Sequence, residues 1–162
     1  MSVIVSVKDC LYNEGERYDL NVNCELEPID YMGKVQFKNV DISGYYFSIG
    51  DRVRFMGKIN VCCIFECDRC LKEFEKEFSF NFSETFSNEN EDETLIIARN
   101  QTVDLQPLVY DTILTSLPIE RLCKEDCKGL CHKCGIDKNF SSCSCSDSDD
   151  DNPFAVLRGL VD

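Results

Sequence analysis

Eight of the twelve cysteines stand in closely spaced pairs: Cys67 with Cys70, Cys123 with Cys127, Cys131 with Cys134, and Cys143 with Cys145. A thiolate is a soft, charged donor, and a Zn²⁺ ion takes four of them at tetrahedral corners about 2.3 Å away. Cysteines separated by one to three residues can offer two adjacent corners from one tight turn. Eight such residues make two complete sites, so two zinc ions per chain are expected.

Three other uses of cysteine compete with this. A disulfide framework suits a short secreted chain, but the opening MSVIVSVKDC has no basic n-region, apolar h-region or small-residue cleavage site, so a reducing, cytoplasmic setting is expected. A redox Cys-x-x-Cys belongs at the head of a helix in a βαβ unit, whereas the residues around Cys67 alternate as in a β-hairpin. Iron would suit the half-knuckle Cys131-His-Lys-Cys134-Gly135, but Cys143-Ser-Cys145 does not supply the second half, which favours zinc. Cys63 falls among apolar positions and reads as a small core residue. Cys10, Cys24 and Cys62 have no spaced partner.

The pairs must still be sorted into sites. Cys123, Cys127, Cys131 and Cys134 lie within twelve residues, and wrapping that stretch around one ion demands a very compact loop. Two knuckles from separate segments strain the chain less. Cys67 and Cys70 are therefore matched with Cys123 and Cys127, and Cys131 and Cys134 with Cys143 and Cys145, with an exchange of pairs as the alternative.

The elements that would position these residues follow from periodicity. Val3 to Val7, Gly33 to Phe37, Tyr45 to Ile49 and Asp51 to Cys67 read as strands separated by turn residues such as Gly50-Asp51. In the longest, Val53, Phe55, Ile59, Val61, Cys63 and Phe65 share one face, while Arg52, Arg54, Lys58, Asn60 and Cys62 share the other. Its partner runs from Glu73 to Ser83, with Phe74, Phe78, Phe80 and Phe82 on one face, and Cys67-Asp-Arg-Cys70-Leu71 closes the hairpin between them. Asp104 can cap a helix from Leu105 to Ser116, and Asn152-Pro153 can open a second, short one. The expected fold is α+β: a β-rich antiparallel sheet or partly open barrel with a packed helix, a cysteine-rich zinc-knuckle segment and a short C-terminal helix. Within a single domain over 1–162, the parts are a β-rich region 1–83, an acidic linker 84–100, a helix 104–117, a metal-binding segment 118–146 and a C-terminal helix 152–161.

Composition narrows the function. The formal charge of −13 becomes about −17 with two filled tetrathiolate sites, which opposes binding of bare nucleic acid by overall electrostatics. No apolar run is long enough to span a membrane. There is no Gly-rich phosphate loop and no Ser/His/Asp constellation, and the single histidine, His132, lies inside a metal loop. A tetrathiolate zinc has no open position for water, so a non-catalytic protein without a small-molecule substrate is expected. The acids concentrate in 84–93 and 147–151, and clustered bases remain at Arg52, Arg54 and Lys58 and, around the cysteines, at Lys124, Lys128, Lys133 and Lys138. These are the candidate partner contacts, although a solvated polar face carries such residues too.

The Cys67-Asp-Arg-Cys70-Leu71 knuckle, Leu117-Pro118 followed by Cys123, the run Cys127-Lys-Gly-Leu-Cys131-His-Lys-Cys134-Gly135, Cys143-x-Cys145 and the closing Asn152-Pro153-Phe154 resemble the YceD family over roughly residues 30 to 160. His132 stands where that family usually has proline, and Asp137-Lys138-Asn139 where it has an Asn-Leu-Asn-like triplet. The family is linked to accumulation of large-subunit ribosomal RNA, and its genes often neighbour that of a small large-subunit ribosomal protein. The resemblance implies a ribosome-biogenesis factor that binds ribosomal RNA precursor, a large-subunit ribosomal protein, or both. It also supports the split of the cysteines given above. The alternatives are a zinc-stabilised protein-interaction module unrelated to RNA, and a thiol redox or metal sensor.

Overall fold

A computed structural model describes residues 3–31, 33–88 and 95–145. In chain order the elements are β1 (Ile4–Ser6), α1 (Lys8–Tyr12), β2 (Tyr18–Cys24), β3 (Ile29–Asp30), β4 (Lys34–Ile49), β5 (Arg52–Glu66), β6 (Glu73–Phe86), β7 (Thr102–Asp104) and α2 (Gln106–Ser116). The main sheet is antiparallel and open, in the order β2-β4-β5-β6, with β3 paired to the start of β4. β1 and β7 form a separate two-stranded ladder. The expected sheet is therefore present, open rather than closed into a barrel.

β5 shows why the sheet forms. Its period-2 pattern buries Val53, Phe55, Ile59, Val61, Cys63 and Phe65 and leaves Arg52, Arg54, Lys58 and Asn60 exposed. The buried side chains meet Val3, Val7 and Cys10 from the N-terminal segment and Val103, Leu105, Leu108 and Ile113 from β7 and α2. One sheet face is thus the core wall, and the outer face is left to solvent among the described residues. The alternation breaks at Gly57, which stands opposite Gly44 of β4. A Cβ on Gly44 would lie 2.1 Å from the Met56 carbonyl oxygen, and one on Gly57 2.2 Å from that of Ser43, so only glycine lets the two strands come this close.

Several expectations need correction. Gly33–Phe37 and Tyr45–Ile49 are not two strands but parts of β4, which runs unbroken from Lys34 to Ile49. The polar stretch between them is a β-bulge at Lys38/Asp41, where Asn39 takes a positive φ of 49°. β6 runs past Ser83 to Phe86, and Ser87 bridges Ile96, so the start of the acidic segment belongs to the sheet. Lys76, which interrupts the apolar row of β6, is exposed, with its ammonium 5.6 Å from the Phe78 ring centroid. α2 begins at Gln106 rather than Leu105, and the Asp104 carboxylate accepts the Gln106 N–H at 2.9 Å and the Val3 N–H at 3.2 Å. One side chain thereby ties the helix start to both short strands. α1, β2, β3 and β7 were not expected. The helix expected over 152–161 and the acids at 147–151 lie outside the described residues.

Candidate metal centres

The first centre is built on the turn closing the β5–β6 hairpin. Cys67 N–H donates to the Lys72 carbonyl and Leu71 N–H to the Cys67 carbonyl, each at 2.9 Å, with Leu71 at a φ of 59°. The chain leaving α2 is clasped to this turn from both sides. Asp68 N–H donates to the Arg121 carbonyl at 2.9 Å, and Arg121 N–H to the Asp68 carboxylate at 2.6 Å. The Arg121 side chain, only 4% exposed, donates to the carbonyls of Tyr31 and Gly33 and stacks over Phe65. This anchor went unrecognised in the sequence, where Arg121 is merely one of several bases.

The clasp delivers Cys123 and Cys127 to Cys67 and Cys70. The Cys67–Cys127 and Cys70–Cys123 sulfurs are 3.8 Å and 3.7 Å apart, and all four lie within 4.8 Å of one another. Four sulfurs at 2.3 Å from a central zinc would be separated by about 3.8 Å, whereas a disulfide brings sulfurs to about 2.05 Å. No cysteine of the chain is in a disulfide. Cys67, Cys70 and Cys127 are buried, and Phe74, Leu122 and Leu130 pack around them. Donors point at the sulfurs, with Cys123 N–H 3.5 Å from that of Cys67 and the Asn139 side-chain amide 3.4 Å from that of Cys127. Asn139 is itself held by Asp137, whose carboxylate accepts its N–H at 2.9 Å and its amide at 2.7 Å while pairing with Lys72 at 2.9 Å.

Cys131, Cys134, Cys143 and Cys145 form the second group, again with all four sulfurs within 4.8 Å. Its knuckle is a tight turn in which Cys131 N–H donates to Ile136 and Gly135 N–H to Cys131, both at 2.8 Å, with Gly135 at a φ of 72°. Cys131 is buried but Cys134 is exposed, so this centre sits nearer the surface. Gly129 joins the two. At a φ of 68° it passes so close to the first knuckle that a Cβ would lie 2.7 Å from the Arg69 carbonyl oxygen. Leu130 N–H donates to that same oxygen at 2.9 Å.

The electrostatics of both groups favour a cation at the centre. Burial opposes ionisation of Cys67, yet the backbone N–H groups of Cys123, Arg69 and Cys70 draw it down to about 6. Those of Cys134 and Lys133 draw Cys131 down to about 6 as well. Further ionisation in the same space is resisted. Cys123 is pushed up to about 12 by burial and the neighbouring sulfurs, and Cys145 to about 12, first through its contact with Cys134. A divalent ion removes that resistance. Outside the groups there is no lowered thiol: burial raises Cys10, Cys24 and Cys62 and pushes Cys63 up to about 12.

The candidate contact bases do not converge. Arg52, Arg54 and Lys58 lie on the outer sheet face, with Arg54 bonded to the Ser83 hydroxyl at 3.1 Å. Lys124 pairs with Asp126 at 3.6 Å, and Lys128 and Lys133 are exposed and Lys138 half-buried around the cysteine loops. Lys58 and Cys67 are separated by about 30 Å of extended strand.

The sequence profile of the family described as large ribosomal RNA subunit accumulation protein YceD matches residues 55–161. An uncharacterized protein of Mycobacterium tuberculosis is 29% identical over 97 residues, which cover 55% of this chain and 46% of that protein. One of Mycobacterium leprae is 28% identical over 96 residues, or 54% of this chain and 44% of its own length. The chloroplastic large ribosomal RNA subunit accumulation protein YCED homolog 1 of Arabidopsis thaliana is 29% identical over 58 residues, 36% of this chain and 18% of that protein. The matched region thus spans less than half of each of these relatives. No solved structure matches significantly.

Proposed function

The chain belongs to the YceD family, and on that premise we propose that it is a non-catalytic, cytoplasmic factor in ribosome biogenesis. In this reading it supports accumulation of large-subunit ribosomal RNA by binding the RNA precursor, a large-subunit ribosomal protein, or both. The observation that carries the molecular part is the pair of tetrathiolate groups. Both donor sets are complete with sulfur alone, which suits structural zinc, and bound zinc would supply the cross-link that fixes the segment after α2 to the hairpin tip. The sulfurs outside the groups are held as thiols by burial, which supports a structural rather than a redox role. The acidic surface suits a basic ribosomal protein.

The test is depletion of the protein in its own cells followed by complementation. Wild-type chain should restore the ratio of large- to small-subunit ribosomal RNA, and Cys70→Ser should not. An unchanged ratio on depletion would refute the assignment. Native mass spectrometry of the same preparations should find two zinc ions in the wild type.

A further inference from the structure

The outer face of the main sheet carries a feature that neither metal centre uses. The strand register sets three rows of side chains across β4, β5 and β6: Phe47, Arg54 and Thr85; Tyr45, Met56 and Ser83; Ser43, Lys58 and Asn81. A shallow cleft opens between the second and third rows, walled by Tyr45, Met56, Lys58 and Asn81, with the backbone of Gly44 and Gly57 beneath it. The two glycines stand at inward-facing positions of their strands, and their missing side chains let β4 and β5 approach closely under the cleft.

Its chemistry is unusual for so acidic a chain. Tyr45, Phe47 and Met56 are half-buried on a largely polar face, with the two rings 6.2 Å apart and 24° from parallel. The Arg17 guanidinium lies 4.8 Å from the Tyr45 ring centroid. Arg54 and Lys58 lie on the neighbouring β5, Arg54 turned toward Ser83, with Arg52 at the end of the strand, and Asp19 beside Tyr45 is the acid set among the same rows. Against a net charge of −13, this is a local reversal of sign centred on stacked aromatic rings.

We propose that this face binds single-stranded RNA, with a base seated in the cleft against Tyr45 and Met56 and phosphates held by Arg54 and Lys58. The inference rests on the reading above and selects RNA as the partner for this surface. Cations alone would also receive an acidic peptide. Flat rings beside a shallow cleft suit the π-face of an unpaired base, and serine and asparagine at the rim can meet its polar edge. Duplex RNA keeps its bases stacked inside and cannot offer that face.

Fluorescence anisotropy of the zinc-loaded chain with a labelled oligouridine of about twelve nucleotides tests this. Tyr45→Leu should weaken binding by about tenfold, while Tyr45→Phe retains it. Arg54→Gln with Lys58→Gln, both on exposed positions, should weaken binding and lower the slope of log affinity against log salt by about 1.4. Lys8→Gln with Lys34→Gln, exposed on α1 and at the far end of β4, should leave affinity within about twofold, and a duplex of equal length should bind at least about tenfold more weakly. Circular dichroism and zinc content identify any variant that fails to fold, and the Arg54/Lys58 pair then decides. Absence of oligouridine binding, equal binding of duplex, or indifference to both the Tyr45 and the Arg54/Lys58 changes overturns the inference. Should those variants nevertheless restore large-subunit RNA in depleted cells, the sheet-face site falls while the biogenesis reading stands. If wild-type chain restores nothing, the reading itself falls.

Discussion

Asn139 sits between Cys134 and Cys143 in sequence, yet its amide is directed at Cys127 of the other group. Asp137 fixes that amide through its carboxylate, and Lys72 from the start of β6 fixes Asp137 in turn. The loop around one candidate centre therefore orients a sulfur of the other. Groups that orient ligands typically change metal affinity by 10- to 100-fold when removed, so Asn139→Ala should weaken the first centre by about that factor and leave the second unchanged. Competition with a chromophoric chelator, read site by site through Cys70→Ser and Cys143→Ser backgrounds, checks this; selective weakening of the second centre would contradict it. Glycine supplies a second contrast. Gly129 and Gly135 share a positive φ, but a Cβ meets the Arg69 carbonyl at 2.7 Å in the first and nothing within 4 Å in the second. Gly135→Ala should cost about 1 kcal/mol, the backbone strain alone, and Gly129→Ala at least about 2 kcal/mol because a backbone atom must also move. Equal losses of stability in denaturant titrations would show that the contact relaxes.

At the scale of elements, the β5–β6 hairpin is the beam on which both centres hang. Cys67 and Cys70 lie at its tip and receive the segment after α2, while the second group is held to it through Gly129 and Leu130. Cys70→Ser should therefore loosen the tie between sheet and metal segment and lower the thermal transition by roughly 10 °C or more, whereas Cys143→Ser should move it by a few degrees at most. Similar shifts in the two variants would mean that the centres are not separable. The hairpin was legible in the sequence because β5 alternates on both sides of Gly57 and its cysteine pair marks the turn. β4 was less so, since Asn39-Val40-Asp41 carries the composition of a turn and only pairing with β5 reveals a bulge. β2 alternates Tyr18, Leu20, Val22 and Cys24 inward with Asp19, Asn21 and Asn23 outward, a period masked by the weak strand preference of Asp and Asn, and α1 is a single turn held by the buried Cys10. Although their sorting into groups rested on chain strain and left an exchange open, the cysteine pairs could be read from spacing, because each knuckle is local. Arg121 could not, because its partners Tyr31 and Gly33 are about ninety residues away.

For the whole molecule, burial and charge together set the order in which metal should leave. Four thiolates around one dication would carry a net −2, and two such centres would add to a chain already at −13, so each would be held against an unfavourable background of like charge. The first centre offsets this with apolar cover from Phe74, Leu122 and Leu130 and with amide donors on its sulfurs. The second, with Cys134 exposed, is open to a competing ligand. Stepwise addition of a chelator should thus pass through a one-metal species in which the second centre is empty and the sheet still melts cooperatively. Loss of the remaining ion should then release the segment after α2 from the hairpin and expose the cysteines of the first centre to alkylation. Native mass spectrometry with peptide mapping of the alkylated thiols resolves the sequence: Cys131, Cys134, Cys143 and Cys145 should label before Cys67, Cys70, Cys123 and Cys127. Cys10 and Cys63, buried and held as thiols, should label last of all. Simultaneous loss of both ions, or first labelling at Cys67 and Cys70, would mean that cover and hydrogen bonding do not govern the stability of these centres.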